Sequence, residues 1–377
     1  MSQGISHQLI ADSFNREGWT AGLAQEQNSP MKPVYGIVGC GSISRFHLEG
    51  LRKIQARVAH VVDVDLERAR AAAAPFGCRV STDYRDLIAD PEVSVVEVLT
   101  PTRFHKEICL EAIAAGKDVV CEKTLANSGV EAMEIVRAVR GGNSLFFTAY
   151  MKRFFPAVQK AKELMPSLGT LFSAHVRTFQ PWGTNFFAPG DLSQYQWILD
   201  NYGGGILKCG GSHMLDLVCF LLGRPSGAWA SLDCLPGSQL DRKVTCLLPV
   251  SGSLTVVFEA VAHNLPGLGY EKTGLDEFIE ITGTEGRLRI HTVTWNKPDT
   301  NPALLVHYEN STCRAIEYRF QPVNPFHVQV QQIDGWLQTR EQGHPDVVDG
   351  CTVDLIISAV ERSAATNAPV AIDYGDL

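Results

Sequence analysis

Lys123 and His213 are the two side chains whose type and setting best suit proton transfer. A histidine imidazole titrates near neutral pH, so His213 can serve as a general base or acid. Lys123 lies two residues after an apolar run at residues 119–121, and open α/β sheets bind ligands at the carboxyl ends of such strands. Taken alone, His213 would equally fit a hydrogen-bonded core residue, and Lys123 a solvated strand end. Their assignment therefore depends on the surrounding motifs.

A glycine turn, Gly39-Cys-Gly41, separates the apolar run Val34–Val38 from a helical pattern. The first glycine permits a tight turn, and the second lets the backbone approach a pyrophosphate. The following helix N-terminus offers unpaired N–H groups to the anion. Ser44 stands where a third glycine is usual. Asp63 lies 22 residues after Gly41, at the end of the next apolar run, where a carboxylate can accept hydrogen bonds from a ribose diol.

This spacing predicts a dinucleotide site. The negative charge of Asp63 disfavours the 2′-phosphate of NADP, so NAD is the expected cofactor. NADP stays open, because Arg68 could reach the same position. The alternative is that the glycines form only a strand-to-helix corner and that Asp63 caps a helix.

The pattern of elements changes near the middle of the chain. In residues 33–153, continuous apolar runs alternate with helical patterns, which is typical of a parallel sheet covered on both faces. After them, short alternating strands with Gly, Pro and Asp turns predict an open, mainly antiparallel sheet. The expected fold class is α/β: an N-terminal doubly wound sheet of the Rossmann type plus a C-terminal α+β domain. The predicted units are an extension (1–32), a dinucleotide-binding domain (33–153) and a substrate-binding and oligomerisation domain (154–377), whose C-terminal helix packs back towards the first domain.

Three further motifs follow the glycine turn in order: TPTRFH at residues 100–105, EKT at 122–124 and GGGILKCGGSHMLD at 203–216. Together they resemble the TPxxxH loop, the EKP loop and the GGGxLxDxGxHxxD helix of the glucose-fructose oxidoreductase, inositol dehydrogenase and rhizopine-catabolism (Gfo/Idh/MocA) family. The resemblance runs from Val34 to about Ile372. It implies an NAD(P)-dependent oxidoreductase that moves a hydride between nicotinamide and a ring CH–OH of a sugar, cyclitol or glycoside.

The resemblance also implies roles for individual residues. Lys123 would hydrogen-bond the reacting oxygen and favour the developing alkoxide, while His213 would accept the hydroxyl proton. The implied cofactor-binding residues are Gly39, Gly41, Ser42, Ile43, Asp63, Thr100, Pro101, His105, Glu122 and Lys123. The implied substrate-binding residues are Lys123, Tyr150, Arg153, Trp182, Cys209 and His213. Aromatic rings that suit the C–H faces of a sugar, or equally the packing of a sheet, lie at Phe179, Trp182, Phe186, Phe187, Tyr195, Trp197 and Tyr202.

Two residues depart from the family pattern. Thr124 replaces the proline of the EKP loop, so no ring fixes the backbone beside the lysine. Cys209 replaces an aspartate that many members carry four residues before the histidine, and a thiol is a poor substitute unless nearby cations ionise it. Lys208 is a candidate for such a cation, and Asp216 could orient the imidazole, although an aspartate in this position is more often structural. Cys209 and the histidine have zinc-ligand spacing, but no third ligand is evident, so no metal is expected.

Composition narrows the partners. The chain of 377 residues has a net charge of −8 and no basic run, which argues against nucleic acid. No apolar run approaches membrane-spanning length, and residues 1–30 lack the features of an export signal. Ten cysteines scattered singly predict reduced thiols and a cytoplasmic protein. The expected partner is a small carbohydrate-like molecule. A homodimer or homotetramer is also expected, since open sheets of this family pack against a sister subunit.

Two other functions fit the same motifs. A family variant could use bound NAD transiently, to drive elimination or glycoside cleavage. A nucleotide-sensing regulator could keep the fold without chemistry; Cys209 keeps that alternative open, whereas an intact Lys123 and His213 argue against it. Three interpretations of residues 1–32 also stay open: a flexible tail, an arm that docks on a sister subunit, or a translation start at Met31.

Overall fold

Two sheets organise the chain, one of six strands and one of ten. They are described from a computed structural model, which defines residues 6–7, 32–182, 195–294 and 301–377. The short strand β1 (Ser6–His7) belongs to the larger sheet. Two of the predicted aromatic residues, Phe186 and Phe187, lie outside the described residues, as does most of the 1–32 extension.

The six-stranded sheet is parallel and has the strand order β4-β3-β2-β5-β6-β7. Its central strands are buried along nearly their whole length, which is why they appear in the sequence as continuous apolar runs. The strands are β2 (Val34–Val38), β3 (Arg57–Val62), β4 (Arg79–Ser81), β5 (Val95–Val98), β6 (Asp118–Cys121) and β7 (Phe146–Thr148). The helices are α1 (Ser44–Lys53), α2 (Leu66–Ala73), α3 (Tyr84–Ile88), α4 (His105–Ala114) and α5 (Gly129–Arg140).

The ten-stranded sheet has the order β1-β15-β14-β13-β12-β8-β11-β10-β9-β16 and is antiparallel except for the pairs β8–β11 and β1–β15. The predicted fold class, α/β with a parallel Rossmann sheet and a mainly antiparallel second sheet, is confirmed. The strands are β8 (Leu171–Pro181), β9 (Gly227–Cys234), β10 (Asp241–Pro249), β11 (Thr255–His263), β12 (Asp276–Gly283), β13 (Gly286–His291), β14 (Leu304–Glu309), β15 (Arg314–Arg319) and β16 (Val370–Ala371). The helices are α6 (Pro156–Leu164), α7 (Gln196–Tyr202), α8 (Ser212–Leu222), α9 (Pro325–Thr339) and α10 (Val347–Thr366).

Helix α9, which the sequence analysis did not predict, packs on the first sheet although it lies near the C-terminus. The ring of Phe326 stacks on Phe46 of α1 with centroids 4.6 Å apart. The hydroxyl of Tyr35 on β2 donates a hydrogen bond to Asp334 at 2.8 Å. Part of the segment assigned to 154–377 therefore lies with the first domain. Helix α10 packs against α5, so that a Cβ on Gly129 would lie 2.6 Å from a methyl of Leu355.

One helical stretch, Gln196–Leu222, is long and apolar enough to cross a membrane by length and composition. However, 72% of its apolar window is buried inside the fold. It contains α7, a π-helical turn (Leu207–Gly211) and α8, with a glycine break after α7. Its apolarity is therefore explained by its position in the core of the second domain.

Candidate active site

The glycine turn leaves an open space at the N-terminus of α1. Gly39 has φ +98°, and a Cβ there would lie 2.7 Å from the carbonyl oxygen of Leu99, so the chain itself requires this glycine. A Cβ on Gly41 would meet no described atom within 4 Å. Ile43, the N-cap of α1, makes no side-chain capping bond. The turn therefore presents uncapped N–H groups to an open space, which fits a dinucleotide pyrophosphate.

Asp63 holds the glycine turn. Its two carboxylate oxygens accept hydrogen bonds from the backbone N–H groups of Cys40, at 2.7 Å, and Asp65, at 2.8 Å. Each oxygen keeps a second lone pair for a ribose hydroxyl. The alternative that Asp63 caps a helix is wrong, because Asp65 is the N-cap of α2. Arg68 is ion-paired with Asp65 at 3.1 Å, and its guanidinium is thereby engaged beside the turn.

His105 joins the two loops that carry the next motifs. Its imidazole is fully buried, with Nδ1 and Nε2 each 2.8 Å from a carbonyl oxygen, of Thr124 and Thr100 respectively. Burial lowers the pKa of His105, although the two carbonyls oppose that shift. The residue thus acts as a support between the TPTRFH and EKT loops. Thr100 also carries a buried hydroxyl without a hydrogen-bond partner among the described residues, and Pro101 leads into a short 3₁₀ turn.

Lys123 leaves the end of β6 and crosses to the second domain. Its ammonium donates a hydrogen bond to the carbonyl oxygen of Cys209 at 2.9 Å and lies 4.9 Å from the ring centroid of Tyr202. Its backbone N–H donates to the Glu122 carboxylate at 3.1 Å. The Lys123–Thr124 peptide bond is cis. The lysine is nearly buried, and within the described ranges no carboxylate lies within ion-pair distance of its Nζ atom.

His213 lies one turn beyond the carbonyl that Lys123 contacts, and its ring meets Tyr150 edge-on at 5.8 Å. Burial, with the nearby charges of Lys123 and Lys152, holds the pKa of His213 well below 6.5, so the imidazole is neutral at working pH. Its Nδ1 and the Tyr150 hydroxyl are buried and have no hydrogen-bond partner within the described part of the chain. Burial raises the pKa of Tyr150, so its hydroxyl stays protonated. The structure thus brings a cation, a neutral base and a hydroxyl donor together.

The charge of Arg153 is paired with two carboxylates rather than directed at the group formed by Lys123, His213 and Tyr150. Its Nε donates to both carboxylate oxygens of Asp216, at 3.1 and 2.9 Å, and its Nη2 to Asp349 at 3.0 Å. The side chain is 6% exposed. The structure therefore does not support direct substrate contact by Arg153. The expectation that Asp216 orients His213 is wrong, because the carboxylate of Asp216 faces the guanidinium instead.

Cys209 is a thiol rather than a thiolate. Burial raises its pKa, although Lys123, Lys152 and the Tyr202 hydroxyl act in the opposite direction. Lys208 does not compensate for the missing aspartate. Its ammonium donates to the carbonyls of Asn127, at 3.1 Å, and Gly203, at 3.2 Å, and pairs with Glu361.

The glycine-rich turn before His213 fits tightly into the second domain. The backbone N–H groups of Gly205 and Leu207 donate to the Asp241 carboxylate at 2.6 and 2.8 Å. A Cβ on Gly205 would lie 1.9 Å from the Asp241 carbonyl oxygen, and one on Gly210 would lie 2.2 Å from the amide of Gln180. The π-helical turn is thus fixed by β10 and β8, which places Cys209 and His213. The same Gln180 accepts the indole N–H of Trp182 at 3.1 Å.

Sequence reasoning missed a buried ion pair beneath the site. The ammonium of Lys152 contacts Glu277, and both side chains are almost fully buried. Glu277 also accepts hydrogen bonds from the hydroxyls of Thr178, at 3.0 Å, and Thr292, at 2.5 Å. Lys152 stands beside Arg153 in the sequence, and no motif marks it. Glu277 occupies a buried position of the alternating strand β12, and nothing in the sequence near it indicates its partner.

Comparisons with known proteins agree with this geometry. Residues 34–150 match the family model "Oxidoreductase family, NAD-binding Rossmann fold", and residues 158–289 match the "GFO/IDH/MocA C-terminal domain". A levoglucosan dehydrogenase of Pseudarthrobacter phenanthrenivorans is 32% identical over 46% of this chain and 44% of its own length. An inositol 2-dehydrogenase of Saccharopolyspora erythraea (number 2) is 39% identical over 35% of this chain and 40% of its own length. These two matches thus span less than half of each relative.

Matches that cover more of the chain have lower sequence identity. A second inositol 2-dehydrogenase of Saccharopolyspora erythraea (number 1) is 25% identical over 90% of this chain and 96% of its own length. The solved structure of a levoglucosan dehydrogenase in complex with NADH and levoglucosan has a TM-score of 0.79 at 23% identity, covering 91% of this chain and all of that one. That likeness shows a shared fold across both domains. From the two family matches, this chain belongs to the Gfo/Idh/MocA family of oxidoreductases with an NAD-binding Rossmann fold.

Proposed function

We propose that the chain is an NAD-dependent oxidoreductase that interconverts a ring CH–OH of a sugar, cyclitol or glycoside and the corresponding ketone. One observation carries this proposal: the ammonium of Lys123, from the first domain, bonds the Cys209 carbonyl one helical turn before His213 and lies near enough for its charge to lower the pKa of that imidazole. The relatives whose names specify inositol and levoglucosan oxidation support the substrate class.

The residues divide the chemistry between them. NAD, when bound, supplies the carbon that accepts the hydride. The neutral His213 takes the hydroxyl proton as the C–O double bond forms, and Lys123 stabilises the negative charge that develops on that oxygen. The Tyr150 hydroxyl, buried and unpartnered among the described residues, is placed to donate to a substrate oxygen. In the reverse direction, His213 returns the proton and Lys123 polarises the ketone.

Preference for NAD over NADP follows from the carboxylate of Asp63. A 2′-phosphate at the ribose would meet this negative charge. Arg68, the cation that kept NADP open, is engaged by Asp65. We expect NAD to support turnover better than NADP by at least about tenfold, ~1.4 kcal/mol.

The outer face of the large sheet supports a homo-oligomer. Trp229, Leu247 and Val257 lie in one cross-strand row on β9, β10 and β11 and are all partly exposed. Exposed apolar rows on a sheet typically mark a protein interface. We expect sedimentation to show a dimer or tetramer. We further propose a cytoplasmic location, since all ten cysteines are free.

The deciding experiment is a panel of sugars, cyclitols, sugar acids and glycosides, screened for NADH formation with NAD and NADP in parallel. Net NADH formation with a member of the panel supports the proposal. Product without net NADH would instead indicate transient oxidation for elimination or glycoside cleavage. NADH binding without turnover of any compound would favour the regulator.

A further inference from the structure

His47 is completely buried beneath the candidate active site and lies between two carboxylates. Its Nδ1 is 3.2 Å from Glu97 and its Nε2 is 3.1 Å from Glu122, and the ring has no exposed surface. Burial opposes a charge on the ring, but the carboxylates of Glu122 and Glu97 outweigh it and raise the pKa of His47 to about 10. The imidazole is therefore a cation at neutral pH, and it separates two anions that would otherwise repel each other in a buried space.

Glu122 connects His47 to Lys123. One of its carboxylate oxygens contacts His47, and the other accepts the backbone N–H of Lys123 at 3.1 Å. The carboxylate is almost completely buried, so it cannot turn into solvent when one partner is lost. The imidazolium thus holds the carboxylate of Glu122, and this carboxylate in turn restrains the backbone of Lys123.

The same helix carries His47 and the dinucleotide turn. Helix α1 begins at Ser44, whose hydroxyl donates to the carbonyl of Gly41 at 2.7 Å, and His47 follows within its first turn. A rigid helix moves as one body. Helix α1 therefore connects the glycine turn, through His47, to the carboxylate of Glu122 and from there to the backbone of the lysine.

We propose that His47 is a positioning residue for Lys123, which links the dinucleotide turn to the reacting oxygen through Glu122. The proposal rests on the proposed function for its kinetic consequences only. Its structural part, the restraint of the Lys123 backbone, stands independently of any substrate.

A second buried histidine of the first domain offers a matched control. His60 on β3 lies 3.3 Å from Asp90 and 3.0 Å from the hydroxyl of Ser81, and it is 6% exposed. These partners belong to β4 and the end of α3, at a distance in the sequence from the EKT loop. Loss of His60 removes a buried histidine–carboxylate pair without touching Glu122.

The first test is amide hydrogen exchange of the full-length free protein, comparing His47→Gln, His60→Gln and the unaltered chain. The Lys123 amide is the reporter, because it donates to Glu122. We expect its exchange to become about tenfold faster in His47→Gln, a loss of ~1.4 kcal/mol of local protection. In His60→Gln it should stay as in the unaltered chain. Unchanged exchange in His47→Gln, or equal acceleration in both variants, would overturn the proposal.

The second test uses myo-inositol and levoglucosan, unlabelled and deuterated at the oxidised carbon. We expect kcat of His47→Gln to fall about 10- to 100-fold, since small misplacements near the reaction cost that much. The substrate KM should change little, and the deuterium isotope effect on kcat should rise as the chemical step becomes limiting. A smaller fraction of folded enzyme lowers kcat without altering the isotope effect. A lower kcat with an unaltered isotope effect contradicts the proposal.

Two further outcomes, an enzyme that oxidises none of the compounds and a variant that does not fold, still leave the proposal testable. If the unaltered enzyme oxidises neither compound nor any member of the panel, the proposed function fails, while the exchange experiment still decides the role of His47. If His47→Gln does not fold, Glu97→Gln replaces it. This variant leaves the contact between His47 and Glu122 in place but weakens the hold on the ring, so Lys123 exchange should accelerate by about twofold to fivefold. Unaltered exchange in that variant also overturns the proposal.

Discussion

The cofactor half of the site (the glycine turn and Asp63) and the substrate half (Tyr150, Lys152, Cys209 and His213) are held in different ways. Asp63 accepts its bond from a backbone group only 23 residues away, whereas Lys152 is held by a carboxylate 125 residues away. Bonds to backbone N–H groups hold the first half, whereas the second half also depends on a buried ion pair, Lys152 with Glu277. The cofactor half should therefore respond to backbone changes, and the substrate half to the loss of a charge.

The largest expected effect tests the charged half. Replacing Glu277 by Gln leaves the buried ammonium of Lys152 without its counter-ion, which should lower the free energy of unfolding by about 3–5 kcal/mol. Urea denaturation measures this loss. Glu280→Gln on the same strand is the control, because Glu280 pairs with Arg289 at the sheet surface and should cost about 1 kcal/mol at most. Equal losses in the two variants would remove the distinction between the halves.

The next effect separates binding from chemistry. Lys123→Met should lower kcat about 10²–10³-fold, because one donor to the developing oxyanion is lost. Its affinity for NADH should stay unchanged, as measured by fluorescence titration. Lys117→Met, at the other end of the same strand, is the control, and its kcat should match that of the unaltered enzyme. Normal turnover in Lys123→Met would remove this lysine from the mechanism.

Two glycines test the backbone half. Gly39→Ala should destabilise the protein by about 1–3 kcal/mol, because an alanine is strained at φ +98°. Gly41→Ala should leave stability unaltered but weaken NADH binding about tenfold, ~1.4 kcal/mol, since its Cβ occupies the space left for the pyrophosphate. Thermal unfolding and NADH titration of both variants separate the effects. Loss of stability in Gly41→Ala with unaltered NADH affinity would contradict this division.

The smallest effect is the pH dependence near neutrality. His213 must be neutral to accept a proton, and its pKa is held well below 6.5, so kcat/KM should vary less than about twofold between pH 7 and 8 on account of this group. Activity should decline only as the pH falls below 6.5 and the ring becomes protonated. A pH titration of kcat/KM measures the acid limb. A limb above pH 6.5 would mean that the cations of the substrate half do not act on His213.

The two halves also differ in how far the sequence predicts them. The glycine turn and Asp63 are close in sequence, so their spacing alone indicated their proximity. Arg153 was assigned to the substrate by the family resemblance, and the sequence could not correct this, because a charged residue has the same appearance whether its partner is a ligand or a buried carboxylate. Asp241, which caps the glycine-rich turn, and Glu277 are separated from their partners by many residues, and no local pattern records such pairing.

Helix α9 was missed for a different reason. Phe326, Val330, Ile333 and Leu337 recur at helical spacing and are buried, so the signal was present in the sequence. Its contact with the first domain was not predictable, because an apolar helical stripe does not specify which of two sheets it covers.

The position of α9 has a consequence for synthesis on the ribosome. The side chains of Tyr35 and Phe46 acquire their α9 partners only when residues 325–339 have emerged, long after β2 and α1 themselves. Chains generally fold from the N-terminal side as they are made. In this protein the nascent nucleotide-binding unit therefore stays without this cover until α9 has been made, so a stop codon before residue 325 would release a truncated product with exposed apolar surface, a ready substrate for chaperones and proteases.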